Sequence, residues 1–592
     1  MKTLQNFISI ALLTIFTVSC QQSAKYQYTG ITFDEPEAPQ NVKPLQDWQS
    51  IESGVQVAWG SSNSRYHKEY IPETKADKNL TCTGWKNERV NAQLIAWSKD
   101  SVKDLSLEIT DLKSLDDKIN ASAVQYYFVR NVISDEFLGG CGHKTKSPET
   151  AHLVADCLEP TPVYTMREKS ARGIWLNIDI PEKTKAGTYT GNVNIMVAGK
   201  KVETLSLTVN VQEHTLPNPG DWKFHLDLWQ NPFAVARIHD VELWSDAHFE
   251  KMKPLYTMLA NAGQKCLTAS ILHKPWGGQT FDHFESMVKR TLKKDGSWEF
   301  DYTVFDKWVA FMMDLGIDQQ INCYTLIPWG NQLHYFDEQS GANTFITATA
   351  TSKEYADYWI PFLKDFKAHL QEKGLYDITT IAMDERPMKD MMSALELIDK
   401  YAGLKVTSAA NYNPGMSGQV YDLSVESRHI LPDEVLEQRR ANGQKTTFYV
   451  CCSVQWPNNF TYSPPSDAVW QGWYAAAQNL DGFLRWAYNS WVEDPMHDTR
   501  FRTWPAGDTF FVYPDSKSSV RFEKLRQGIQ DFEKIHILRK KLMEVGNAEA
   551  QKKLQQLNNV LNKFQIASLE TDGALGLVLE AKDVINQVSE VN

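Results

Sequence analysis

Between Trp222 and Tyr488 the chain alternates eight short β-forming runs with amphipathic helical runs, a rhythm that few folds can accommodate. The β-like runs are Trp222–Trp229, Lys265–Leu272, Gln320–Ile327, Ile378–Met383, Leu404–Ala410, Asp422–Val425, Thr446–Cys452 and Gly482–Tyr488. Helical runs lie between most of them, at Phe249–Ala262, Tyr302–Leu315, Lys353–Lys373, Met388–Tyr401, Pro432–Arg440 and Asp467–Leu480. Apolar residues three and four apart give such a helix one buried face, and Met252, Leu255, Leu259 and Ala262 form that stripe in the first. Eight strand–helix units in under 300 residues fit a (β/α)8 TIM barrel better than an open doubly wound sheet. No Gly-x-Gly-x-x-Gly follows the first run, which further weakens a dinucleotide-binding reading. The long loop His273–Glu299 is expected to be partly structured.

The flanks follow other patterns. From about Ile31 to Gln212 short β-like runs are broken by turn signals: Val90–Trp97, Leu105–Ile109, Val124–Val129, Ile174–Ile180, Tyr189–Ala198 and Leu205–Val211. Alternation along Tyr189–Val197 implies one buried and one wet face, and the spacing as a whole predicts a β-sandwich. Leu216-Pro217-Asn218-Pro219-Gly220 breaks either kind of element and reads as a linker. Beyond Tyr513-Pro514 come helical runs at Ser519–Val545 and Ala548–Glu570 and a shorter one near the end. The expected division is a signal at 1–20, a sandwich domain at 21–217, a barrel at 218–515 and a helical region at 516–592.

Lys2, the apolar run Phe7–Val18 and Thr17-Val18-Ser19-Cys20 have the layout of a secretory signal. A cysteine at the cleavage point resembles the bacterial lipoprotein signal, with Cys20 as the lipidated residue. A lipid-anchored protein of the bacterial cell envelope, on the outer membrane facing the periplasm, is therefore expected. The net charge is −12, and −13 once Lys2 is removed, with 60 basic against 73 acidic residues. That balance disfavours nucleic acid and suits a neutral or weakly charged ligand. An oxidising envelope permits one disulfide among Cys82, Cys141 and Cys157, while Cys266, Cys323, Cys451 and Cys452 sit in apolar runs as buried thiols. No Cys-x-x-Cys or His-Glu-x-x-His occurs, so neither a metal site nor a cofactor is expected.

The heptapeptide Ile-Ala-Met-Asp-Glu-Arg-Pro at Ile381–Pro387 puts two carboxylates, Asp384 and Glu385, where the fourth β-run stops. Adjacent strand residues face opposite ways, so both acids reach one ligand only if the backbone turns out of the strand there. The plain alternative is a surface pair with one acid bridged to Arg386. In a barrel, however, the C-terminal strand ends rim one mouth. These ends carry Trp229 and Asn231, Lys274, Trp329, Tyr412, Trp456, and then Trp486, Tyr488 and Asn489. Indoles stack on the C–H faces of a sugar ring and amides bind its hydroxyls, so these nine are the candidate substrate-binding residues. Arg485 is divided between a ligand role and an ion pair inside the barrel.

The order of sandwich, barrel, Ile381–Pro387 and then Gly-Phe-Leu-Arg-Trp-Ala-Tyr-Asn-Ser-Trp at Gly482–Trp491 resembles glycoside hydrolase family 123. Trp504-Pro505-Ala506-Gly507-Asp508 and the Arg521–Ile537 helix add to the likeness. The resemblance implies an exo-acting β-N-acetylgalactosaminidase that retains configuration without an enzyme nucleophile, the substrate's own acetamido oxygen attacking C1. Asp384 would then stay ionised and hold the acetamido N–H. Glu385, with a raised pKa, would serve as acid and then base. Two other readings stand beside it: a β-N-acetylglucosaminidase of the same mechanism, and a non-catalytic glycan-binding lipoprotein.

Overall fold

The computed structural model describes residues 30–37, 46–75, 77–137, 140–142, 146–429 and 431–590. The segment 1–20, with Cys20, lies outside the described residues.

Eight parallel strands form the central sheet: His225–Leu228, Cys266–Ser270, Gln320–Tyr324, Thr379–Met383, Lys405–Ala409, Asp422–Glu426, Lys445–Tyr449 and Gly482–Arg485. From the second to the eighth, each pairs with the next in sequence, and the eighth also pairs with the first. The first and second strands meet through a bridge at Leu226–Gln264, where Lys265 N donates to Leu226 O at 3.0 Å. The result is a near-closed barrel, made by the strands the hydrophobic rhythm predicted. A helix follows every strand, although the one after the fifth is a single turn at Pro414–Ser417.

The barrel interior is polar at the strand starts. His225 Nε2 and Gln320 Nε2 both bond Asp422 Oδ2, at 2.9 and 2.8 Å, and Asn322 Nδ2 donates to Asp227 Oδ2 at 2.9 Å. Such groups survive burial because they satisfy one another. The connections after the second and third strands contribute an added four-stranded sheet, Lys289–Leu292, Trp298–Asp301, Gln332–Asp337 and Ala342–Thr347. The first two strands structure the long loop as expected, and the second hairpin had no expectation.

The N-terminal region is β-rich. A five-stranded and a seven-stranded sheet share one core built from residues such as Leu94, Phe128 and Ile174 on one side and Leu105, Val193 and Leu207 on the other. Tyr189, Val193 and Ile195 are buried and Thr190 and Asn192 exposed, as alternation requires.

The C-terminal helix Val520–Val545 crosses Pro465–Ala477 at two glycines. A Cβ on Gly472 would lie 2.1 Å from Gly528 O, so only glycine permits that approach. The run Ala548–Glu570 is not one helix. It divides into Ala548–Leu561 and Ile566–Asp572, because Phe564 between them turns inward and stacks on Trp473 at 5.4 Å.

The cysteines also differ from expectation. Cys141 pairs with Cys452, 311 residues away, whereas Cys82 and Cys157 are free thiols. Cys157 is buried in a strand of the five-stranded sheet and Cys82 belongs to a strand of the other sheet, so strand pairing holds both in place. Cys452 lies beyond the seventh strand's end, in the loop that the Cys141 segment meets, and is therefore no buried thiol.

Candidate active site

A cavity of about 460 Å³ opens at the C-terminal ends of the barrel strands. The fourth strand ends at Met383, and the turn that follows brings both Asp384 and Glu385 to the cavity wall. Arg386 shapes that turn. Its Nε donates to Ile327 O at 2.9 Å and Nη1 to Glu385 O at 2.8 Å, tying the acidic pair to the third strand's exit. Pro387 caps the helix Met388–Tyr401 and stops further strand pairing.

Each acid has its own holder. Trp329 Nε1 donates to Asp384 Oδ2 at 2.8 Å, and Arg386 Nη2 lies 2.9 Å from Oδ1. The Arg386 guanidinium also covers the Trp329 ring, 4.2 Å from its centroid. The bridge to Arg386 foreseen for a plain surface pair thus exists, but largely buried, with the two side chains 6% and 15% exposed. Tyr449, ending the seventh strand, donates its hydroxyl to Glu385 Oε1. Burial pushes the Asp384 carboxyl above its ordinary value, while Arg386 and the Trp329 N–H pull it back. Burial and the adjacent Glu385 charge push the Tyr449 hydroxyl up, so it remains a donor.

Aromatic rings make the remaining wall. Trp229 stacks on Trp276 at 5.1 Å and 26°, and both line the cavity with Trp329, Trp486 and Trp504. Trp486 donates its N–H to Asp508 Oδ2 at 2.9 Å and meets Trp504 edge-on. Asp508 Oδ1 takes Arg485 Nη2 at 2.7 Å, both side chains 1% exposed. Arg485 is therefore an ion-pair member within the barrel wall and not a ligand group. Glu426 also lines the cavity, but Ser427, Arg428 and His429 already bond its carboxylate.

Of the residues expected at the site, Asp384, Glu385, Trp229, Trp329 and Trp486 come together. Six others do not line this cavity. Asn231 caps the helix Pro232–His239 by accepting from Phe233 N and Ala234 N. Asn489 is buried and exchanges two hydrogen bonds with the Asn231 backbone. Tyr488 is buried and donates to Leu255 O at 3.0 Å. Lys274 stands in the loop at φ 52°, and Tyr412 and Trp456 pack against the barrel core. Tyr449, Glu426, Trp276, Trp504 and Asp508 were not among the expected site residues. Tyr449 and Glu426 end the seventh and sixth strands, so the strand-end signal was present for both.

Among the described residues one group could hold a metal: His225, Cys266 and Asp422. Each is the first residue of its strand, so the group lies at the opposite end of the barrel from the cavity.

An indole-lined cleft with two carboxylates at the C-terminal mouth of a parallel barrel defines a carbohydrate-active hydrolase. Models of known families agree. The glycoside hydrolase 123 catalytic domain matches residues 229–538, over half the chain, and the family's N-terminal domain matches 59–197. The chain belongs to glycoside hydrolase family 123. It is similar to a family 123 glycoside hydrolase from Clostridium perfringens, described for glycolipid glycan hydrolysis, at 26% identity and a TM-score of 0.81. That likeness covers 91% of this chain and 97% of the other. A Bacteroides ovatus GH5 xyloglucanase matches 80% of this chain and 99% of its own at 8% identity, with a TM-score of only 0.27. No curated protein matches the chain.

Proposed function

We propose that this glycoside hydrolase releases terminal β-linked N-acetylgalactosamine from glycans, with the substrate's acetamido oxygen as nucleophile. The observation that carries the reading is the pair of adjacent acids on one cavity wall, each held by a different partner. Asp384, fixed between Trp329 and Arg386, is suited to accept the acetamido N–H and to orient the carbonyl oxygen toward C1. As the oxazolinium ring forms, its positive charge faces that carboxylate. Glu385, on the other side of the turn and held by Tyr449, protonates the departing oxygen and then takes a proton from the water that opens the ring. Neither acid attacks carbon, so the usual spacing rule for two-carboxylate glycosidases does not apply.

Family membership and the Clostridium relative's glycolipid substrate support a β-N-acetylhexosaminide on a longer glycan. The galacto configuration comes from the family resemblance alone. A β-N-acetylglucosaminidase would use the same acids with other contacts at the 4-hydroxyl. Placement in the bacterial envelope through Cys20 remains our reading of the first twenty residues. The Cys141–Cys452 disulfide supports it, since disulfides persist in oxidising compartments.

Rates on aryl β-N-acetylgalactosaminide and β-N-acetylglucosaminide test the proposal, the first expected to be faster. Glu385→Gln should lose most activity on poor leaving groups and recover on activated ones, whereas Asp384→Asn should be impaired on both. Equal dependence of the two variants on leaving-group acidity would contradict the separate roles. Labelling with a radioactive fatty acid, lost in Cys20→Ala, tests the anchor.

A further inference from the structure

One wall of the active-site cavity comes from outside the barrel. Cys141 lies on the connection between Val124–Ser134 and His152–Glu159, neighbouring strands of the five-stranded sheet, yet it lines the cavity beside Cys452. Hydrogen bonds on either side of it carry that connection across to the barrel. Ala506 N donates to Asp135 Oδ1 at 3.0 Å, Gly142 N to Thr503 O at 3.3 Å and Arg500 Nη1 to Ser147 O at 2.8 Å. The Cys141–Cys452 bond is the covalent part of this joint, and Cys141 itself is exposed. Thr503 precedes Trp504, so the same segment also steadies one of the indoles of the cavity.

The wall stands on a defined side of the acidic pair. Tyr449, which holds Glu385, ends the seventh strand, and Val450, Cys451 and Cys452 continue from it along the cavity. Trp329, which holds Asp384, follows the third strand. Third and seventh strands are four places apart in a ring of eight, on opposite sides of the mouth. On the hydrolase reading above, the acetamido group sits at Asp384 and the departing oxygen at Glu385. Whatever that oxygen carries then lies toward Tyr449 and the disulfide. Val450, Cys452 and Cys141 bear no charge, and burial pushes the Cys451 thiol up, keeping it protonated. Such a surface suits an uncharged sugar.

We propose that the disulfide fixes this segment of the N-terminal region as the wall of the leaving-group subsite, where it receives the neutral sugar linked to the N-acetylhexosamine. The proposal rests on the roles assigned above to Asp384 and Glu385. Cys141 and Cys452 are positioning residues. With the bond open, the segment loses its covalent hold on the Cys452 loop, and the incoming sugar must order the wall as it binds. Ground state and transition state are weakened alike, which raises KM and leaves kcat.

Two ways of opening the bond test this. A water-soluble phosphine breaks it in the folded protein, water supplying the oxygen of the phosphine oxide and a proton to each sulfur; Cys141→Ser never forms it. In both, kcat/KM on the disaccharide of β-N-acetylgalactosamine and galactose should fall by about tenfold, through KM, well below the unfolding temperature. Affinity for the thiazoline of N-acetylgalactosamine, a cyclic mimic with no leaving group, should be unchanged. The phosphine should do nothing further to Cys141→Ser. An unchanged KM alongside a lowered melting temperature would make the bond a staple of the fold alone and overturn the proposal. Loss of thiazoline affinity in step with the disaccharide would overturn it too, since the bond would then hold the whole cavity. If Cys141→Ser does not fold, the phosphine-treated parent carries the test. A thiazoline that fails to bind the untreated parent would instead count against the acetamido mechanism, while the disaccharide KM still reports on the wall.

Discussion

Trp329 donates its indole N–H to Asp384 Oδ2 at 2.8 Å while its ring carries the Arg386 guanidinium 4.2 Å away. One side chain thus sets the direction of the acid and the position of its counter-charge. Trp329→Phe keeps an aromatic face for Arg386 but removes the N–H. Loss of a hydrogen bond to a charged group is worth about 1.5–3 kcal/mol, so kcat/KM should fall by roughly 10- to 100-fold. Trp329 is 45% exposed, so unfolding should be little affected. Steady-state kinetics with thermal unfolding checks this; unchanged activity would remove Trp329 from the positioning of Asp384.

Asp508 joins two neighbours on the last strand, Arg485 and Trp486, through separate oxygens. Asp508→Asn leaves the Arg485 charge buried without its partner and should cost about 3–5 kcal/mol of stability. Urea unfolding measures it. A loss near zero would mean that Arg485 finds another counter-charge.

Asp227, buried in the first barrel strand, is raised from 3.8 to about 7 by burial, with the Asp422 charge adding to the push. A group whose folded value is raised favours the fold in its protonated form. Its stabilising contribution is complete below pH 3.8 and is lost as pH rises through about 7. Asp227→Asn mimics the protonated form, and its amide oxygen can still accept from Asn322. The variant should match the parent only below about pH 3.8 and exceed it in stability by a margin that grows from pH 5 to pH 8, as thermal melts across that range would show. A variant less stable at pH 8 than the parent would reverse the sign.

The barrel and the acidic pair were legible in sequence because both rest on local patterns. Hydrophobic period marks the strands, and Asp384-Glu385-Arg386-Pro387 is a contiguous break at the end of one. The supporting residues were not, because strand-end position says nothing of where a side chain turns. Asn231 and Asn489 sit where ligand groups often do, yet a helix N-terminus and an adjoining backbone consume their polar atoms. Tyr449 carries the same positional signal as Tyr488, but only the fold shows one against Glu385 and the other buried under the barrel wall. The Cys141–Cys452 bond joins distant segments through tertiary approach, which no local pattern records.

Substrate assistance by the acetamido group can be tested on the substrate itself. Replacing the N-acetyl methyl hydrogens of an aryl β-N-acetylgalactosaminide one by one with fluorine weakens the carbonyl oxygen as a nucleophile and leaves the sugar ring and leaving group unchanged. If that oxygen attacks C1, kcat/KM falls steeply with each fluorine, and Glu385→Gln lowers every point without flattening the slope. A series that stays level from acetyl to trifluoroacetyl would contradict the mechanism, because the attacking group would then belong to the enzyme or to water.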